Sequence, residues 1–86
     1  MTQSEPIYLL RLPEVINRLG ISKSTLYNMI TEGTFPSPIK MGRKTSVFPE
    51  HELITIQEAI IRGDSDENIK ELVLFIQEKR KKGLHC

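Results

Sequence analysis

The stretch Gly20–Pro38, GISKSTLYNMITEGTFPSP, decides the fold. Gly20 permits the positive φ that ends a helix tightly, Ile21 offers an apolar plug, and Ser22 can cap a new helix by accepting a backbone N–H. The helix that follows is expected from about Lys23 to Glu32, where Gly33 closes it and the prolines of TFPSP forbid continuation. Leu26, Met29 and Ile30 make its buried side, leaving Lys23, Ser24, Tyr27, Asn28 and Thr31 outside. That outward side carries lysine, hydroxyls, an amide and a phenol, but almost no carboxylate. A helix face turned to water ordinarily mixes both signs of charge.

Upstream, LLRLPEVINRLG contains another helix, with Pro13 early, where its missing N–H costs nothing, and Glu14 beside the positive end of the dipole. Leu12, Val15, Ile16 and Leu19 recur at three and four and give it one apolar face. Two helices only about three residues apart must meet at a steep angle. Downstream, Phe35 packs as the chain turns. PIKMGRKTSVF then alternates through Ile39 and Met41, reaches a tip at Gly42, Arg43 and Lys44, and returns through Thr45 and Val47. This is a hairpin pattern, and because a lone two-stranded hairpin is marginal in water, Ile39, Met41 and Val47 are expected to lean on the helices.

Pro49 opens a third helix that ends at Gly63, with Leu53, Ile56, Ile60 and Ile61 as its expected buried stripe. DSDENIKELVLFIQEKRKKG reads as a fourth, capped around Asp64, Ser65 and Glu67 and basic in its last turn. Ile69, Leu72, Val73 and Ile76 repeat along it at three and four, and Leu74 and Phe75 widen the stripe. Such a helix either folds back to complete the core or pairs with a second copy. Pairing into a homodimer makes Ile69, Leu72, Val73 and Ile76 the candidate dimerisation residues. The KRKK run at its end reads as a helix-end charge match or a loose tail.

A helix, a tight glycine turn, a second helix with a small polar N-terminus and then a basic-tipped hairpin make a winged helix-turn-helix. The fold class is therefore mainly α, with a short two-stranded wing and an additional C-terminal helix. Residues 1–63 form the DNA-binding unit and 64–86 the helix that extends it, within one compact domain overall. The major groove admits one α-helix, whose N-terminal turns meet the base edges, so Ser22, Lys23, Ser24, Thr25, Tyr27 and Asn28 are the candidate contacts. Arg43 and Lys44 on the wing are placed to reach phosphate or an adjacent minor groove. Capping and solubility are the competing roles for these residues, with Ser22 the capping serine.

The net charge of +1 hides a segregation along the chain. Up to residue 45, six cations face Glu5, Glu14 and Glu32, for a net +3. Residues 46–69 hold Arg62 against six carboxylates, a net −5, and the last 17 return to +3. The pattern suggests a basic working face with an acidic back. At 86 residues, 38% hydrophobic and 27% charged, the chain is an ordinary globular domain with no room for a second catalytic lobe. Cys86 is the single cysteine, so neither an intrachain disulfide nor a CxxC metal site is available. The terminal His85–Cys86 pair supplies too few ligands for structural zinc, and His51 stands apart from any nucleophile. No enzyme and no cofactor are expected. The longest apolar run, Leu72 to Ile76, is too short for a membrane span, and MTQSEP lacks a signal-peptide pattern, which points to the cytoplasm.

The segments RLPEV, GISKSTLY, EGTFPSP and KMGRKTSVF, in that order and spacing between Leu9 and Leu53, resemble the AlpA-type prophage regulators, a branch of the MerR-like and excisionase-like winged helix-turn-helix proteins. The resemblance implies a small bacterial or phage protein that binds double-stranded DNA, without a cofactor, to regulate a prophage or genomic island. It assigns the recognition helix to Ser22, Lys23, Ser24, Thr25, Tyr27 and Asn28 and the wing to Arg43 and Lys44. Phe48 stands where relatives commonly have tryptophan, and residues 54–86 extend past the usual family unit. Two other functions fit the same residues: an excisionase-like factor that bends DNA beside an integrase, and an antirepressor or interaction module acting through the fourth helix.

Overall fold

The computed structural model describes residues 8–82; His85 and Cys86 lie outside them. The helix pair falls where the glycine and serine punctuation puts it, as α1 (Leu12–Leu19) and α2 (Lys23–Glu32). Gly20 adopts φ 69°, and its N–H donates to the Ile16 carbonyl at 2.8 Å. The Ile21 N–H reaches the same carbonyl at 3.2 Å, so the helix end is satisfied within a single turn. Ser22 Oγ accepts the Thr25 N–H at 3.1 Å and starts α2. Gly33, at φ 87°, ends it, with the Thr34 N–H reaching back to the Met29 carbonyl at 2.9 Å.

Three strands follow the order β1-β3-β2, all antiparallel: β1 (Leu9–Arg11), β2 (Ile39–Met41) and β3 (Thr45–Pro49). The wing is thus a three-stranded sheet rather than an isolated hairpin. Leu9, Leu10 and Arg11 pair with Pro49, Phe48 and Val47, which buries Leu10 and turns Leu9 and Arg11 outward. Three residues are too few for an alternation to be read, and these run straight into a leucine-rich helix. Since β3 lies in the middle, Val47 and Phe48 are buried, whereas Ile39 is half-buried and Met41, beside the tip, is exposed. Of the three wing residues expected to lean on the helices, only Val47 is fully covered. Gly42, at φ 82°, lets the chain turn through Arg43 and Lys44.

One core joins the winged unit to the last two helices, α3 (Glu50–Arg62) and α4 (Asp66–Lys82). Val15 of α1, Leu26 of α2, Leu53, Ile56 and Ala59 of α3 and Ile69, Val73 and Ile76 of α4 belong to it. Phe35 and Phe48 meet inside it with ring centroids 5.8 Å apart, so Phe48 is the aromatic anchor between wing and helices. Two expectations need correction. The buried side of α3 runs through Glu52, Leu53, Ile56 and Ala59, leaving Ile60 exposed and Ile61 83% exposed, because the small Ala59 takes the inward position that apolar weight had suggested for its neighbours. On α4, Ile69, Val73 and Ile76 are buried and Leu72 is half-buried within the same chain. Of the two roles open to this stripe, folding back to complete the core is the one seen within the chain, so Ile69, Val73 and Ile76 are not free for a second copy.

Candidate nucleic-acid interface

Ser24, Tyr27, Asn28 and Thr31 are all exposed and follow the i, i+3, i+4, i+7 rule, so they form one outward stripe along α2 opposite the buried Leu26. Thr31 belongs to this face although it was not among the expected contacts. The first turn of α2 holds no carboxylate, and Lys23 lies beside its start. The helix dipole and the first-turn N–H groups that the Ser22 cap leaves free make this end favourable to anions. Two of the candidate hydroxyls are already engaged. Ser22 Oγ takes the Thr25 N–H and lies 2.9 Å from Thr25 Oγ1, so the pair closes a local cap. Among the described residues, no hydrogen bond or ion pair takes up the polar ends of Lys23, Ser24, Tyr27 and Asn28.

The wing carries Arg43 and Lys44 exposed at its tip. Between it and α2 runs a cleft of about 210 Å³, lined by Tyr27 from α2, Arg11 from the end of β1, Pro13 from the start of α1, and Lys44 and Ser46 from the wing. The structure therefore brings Tyr27 and Lys44 to one concavity, and no carboxylate lines it. Tyr27 is 46% exposed and lines this concavity.

The acidic segment works elsewhere. The ion pairs among the described residues join Arg18 to Glu50 at 2.5 Å, Arg62 to Asp64 at 2.6 Å and Arg80 to Glu52 at 2.6 Å. None of them uses Lys23, Arg43 or Lys44. The hydrogen bond from Arg62 holds the Asp64 carboxyl below the ordinary carboxylate range. His51 is exposed, and its carbonyl accepts the Thr55 hydroxyl at 2.8 Å.

Arg80, which the sequence places in a basic run at the helix end, is instead an anchor within the fold. Its side chain is 17% exposed, with Nε and Nη2 donating to the two Glu52 oxygens at 3.0 and 2.6 Å and Nη2 also to the Ser37 carbonyl at 3.0 Å. One turn earlier, Gln77 Oε1 accepts both the N–H and the hydroxyl of Ser37, at 2.9 and 3.0 Å. α4 thereby holds the joint between α2 and the wing. The signal was present: Arg80 continues the buried row Ile69, Val73, Ile76 at the next helical step, where a solvated tail residue does not belong.

Residues 8–58 match the family model described as prophage CP4-57 regulatory protein (AlpA). The chain is also 35% identical over 54 residues to uncharacterized protein ORF88 of Enterobacteria phage P4, a match that covers 63% of this chain and 61% of that protein. The chain thus spans about three fifths of the length of the curated relative it matches. No solved structure matches it. Among the described residues, no helix is long and apolar enough to cross a membrane, and no group of three or more histidine, cysteine or acidic side chains is gathered as a metal site.

Proposed function

The chain belongs to the AlpA family of prophage regulatory proteins, and we propose on that premise that it is a sequence-specific binder of double-stranded DNA that regulates transcription of a prophage or genomic island. α2 enters the major groove, with Lys23, Ser24, Tyr27 and Asn28 facing bases and flanking phosphates. The wing tip, Arg43 and Lys44, grips the backbone beside it. The observation that carries the reading is the carboxylate-free concavity lined by both Tyr27 of α2 and Lys44 of the wing. Asn28 supplies the amide that can pair bidentately with adenine, and Lys23 the cation that favours guanine. No covalent chemistry is assigned to any residue, and the protein works in the bacterial cytoplasm, where the nucleoid offers its target.

Selection of bound duplexes from a random pool, followed by anisotropy titrations on the winning site, tests this reading. Lys23→Ala and Asn28→Ala should shift the preferred base at one position each, at about 1–3 kcal/mol per lost pairing. Arg43→Ala and Lys44→Ala should weaken all duplexes alike. Equal affinity for every duplex, or no salt-sensitive duplex binding at all, overturns it. The same selected site on circularly permuted fragments distinguishes a regulator from an excisionase-like factor, since only the latter depends on a strong bend.

A further inference from the structure

With Ile69, Val73 and Ile76 turned into the core, α4 presents a different face to solvent. Glu67, Leu74 and Lys81 are spaced by sevens along its outward side, with Lys70, Glu71 and Glu78 flanking them, and all six are exposed. Leu74 is 63% exposed and its neighbour Phe75 62%, the two apolar side chains in the middle of an otherwise charged surface. The charges around Leu74 alternate in a way that is self-complementary under a two-fold axis. Laid antiparallel on a second α4 with Leu74 on the axis, residue i lies opposite the residue equally far beyond Leu74. Lys70 then meets Glu78, Glu67 meets Lys81, and each pair occurs twice. The neighbouring register, with the axis between Leu74 and Phe75, sets Lys70 against Lys79 and Glu71 against Glu78. Charge therefore favours one register over the other.

We propose that the outward face of α4 is an isologous interface for a second copy of this chain, built on Leu74 with Lys70–Glu78 and Glu67–Lys81 across it. It rests on the DNA-binding reading only for its use, since two copies would present two recognition helices to paired half-sites. The fit with the rest of the molecule is direct. α4 holds Ser37 through Arg80 and Gln77, and Leu74 and Lys70 border a groove shared with Ile30 and Gly33 at the end of α2. A contact on this face is therefore mechanically continuous with both DNA-facing elements.

Sedimentation equilibrium without DNA, on the full chain, tests the interface separately from duplex binding. Lys70→Glu and Glu78→Lys, both on exposed side chains, should each weaken self-association about tenfold, because each variant sets like charges opposite one another twice. An equimolar mixture of the two should recover it, since each variant then meets the opposite charge on its partner. Leu74→Glu should abolish it while far-ultraviolet dichroism and the thermal midpoint stay close to wild type. A wild-type chain that is monomeric at about 100 µM, or a mixture as weak as either variant alone, overturns the proposal. DNA selection with the Leu74→Glu variant on a single half-site keeps the two questions distinguishable: binding retained there leaves the regulatory reading intact whatever the sedimentation shows.

Discussion

Serine 22 and serine 24 are two residues apart and chemically identical, yet they are assigned opposite work. Ser22 caps α2 through the Thr25 N–H and sits against the Thr25 hydroxyl, whereas Ser24 lies on the outward stripe. Ser22→Ala should therefore cost about 1 kcal/mol of stability in urea unfolding. Ser24→Ala should change stability by less than about 0.5 kcal/mol and be felt instead in duplex affinity. Asp64 offers a second test at this scale. Its carboxyl is held below the ordinary range by the hydrogen bond from Arg62, so its contribution is present above the unfolded pKa and is lost as pH falls through the lower folded value. A carbon-detected titration should place its midpoint below that of an ordinary aspartate, and Arg62→Ala should return it upward. At this scale the Ser22 cap was readable from residue type and spacing. That Thr25 would be drawn into the same cap was not, because a hydroxyl beside a helix start serves the cap or the groove equally well until the rotamer is known.

Among the elements, α4 departs furthest from what its sequence suggested. Its apolar repeat could serve either the core or a partner, and periodicity alone carries no information about which surface it covers. In the fold α3 decides it, since Leu53 and Ile56 are fully buried in one cluster with Ile69, Val73 and Ile76 of α4. β1 was illegible for a different reason: a three-residue strand has no period of its own and exists because β3 offers it an edge. The helix pair, the glycine stops and the GRK tip, by contrast, depend on local backbone chemistry and were readable. The clamp from α4 to Ser37 gives this scale its prediction. Arg80→Met should destabilise the fold by about 3–5 kcal/mol, since it strands the buried Glu52 carboxylate. Glu52→Leu combined with Arg80→Met should regain most of that loss, because removing both charges together leaves no unpaired ion. If the single variant unfolded no earlier than wild type in urea, Arg80 would have no claim to hold the joint between α2 and the wing.

Across the whole molecule, part of the acidic segment is engaged by arginines of the same chain. The carboxylates of Glu50, Glu52 and Asp64 are taken up by arginines, while Lys23, Arg43 and Lys44 stand outside every ion pair among the described residues. A near-neutral protein can thus carry an unneutralised cationic side, and counterion release reads that side directly. If each copy neutralises three phosphates through these residues, two copies on paired half-sites should give a slope of log affinity against log salt of about −5. Leu74→Glu, which removes the proposed contact between copies, should lower the slope to about −3 on one half-site. Arg43→Ala with Lys44→Ala should instead bring the paired-site slope to about −2, without altering the selected bases. The two perturbations weaken binding in different ways: the first halves the number of cations engaged by leaving one copy on the DNA, and the second removes the wing from both. Measuring slope and base preference together separates assembly from contact, which affinity at a single salt concentration would merge.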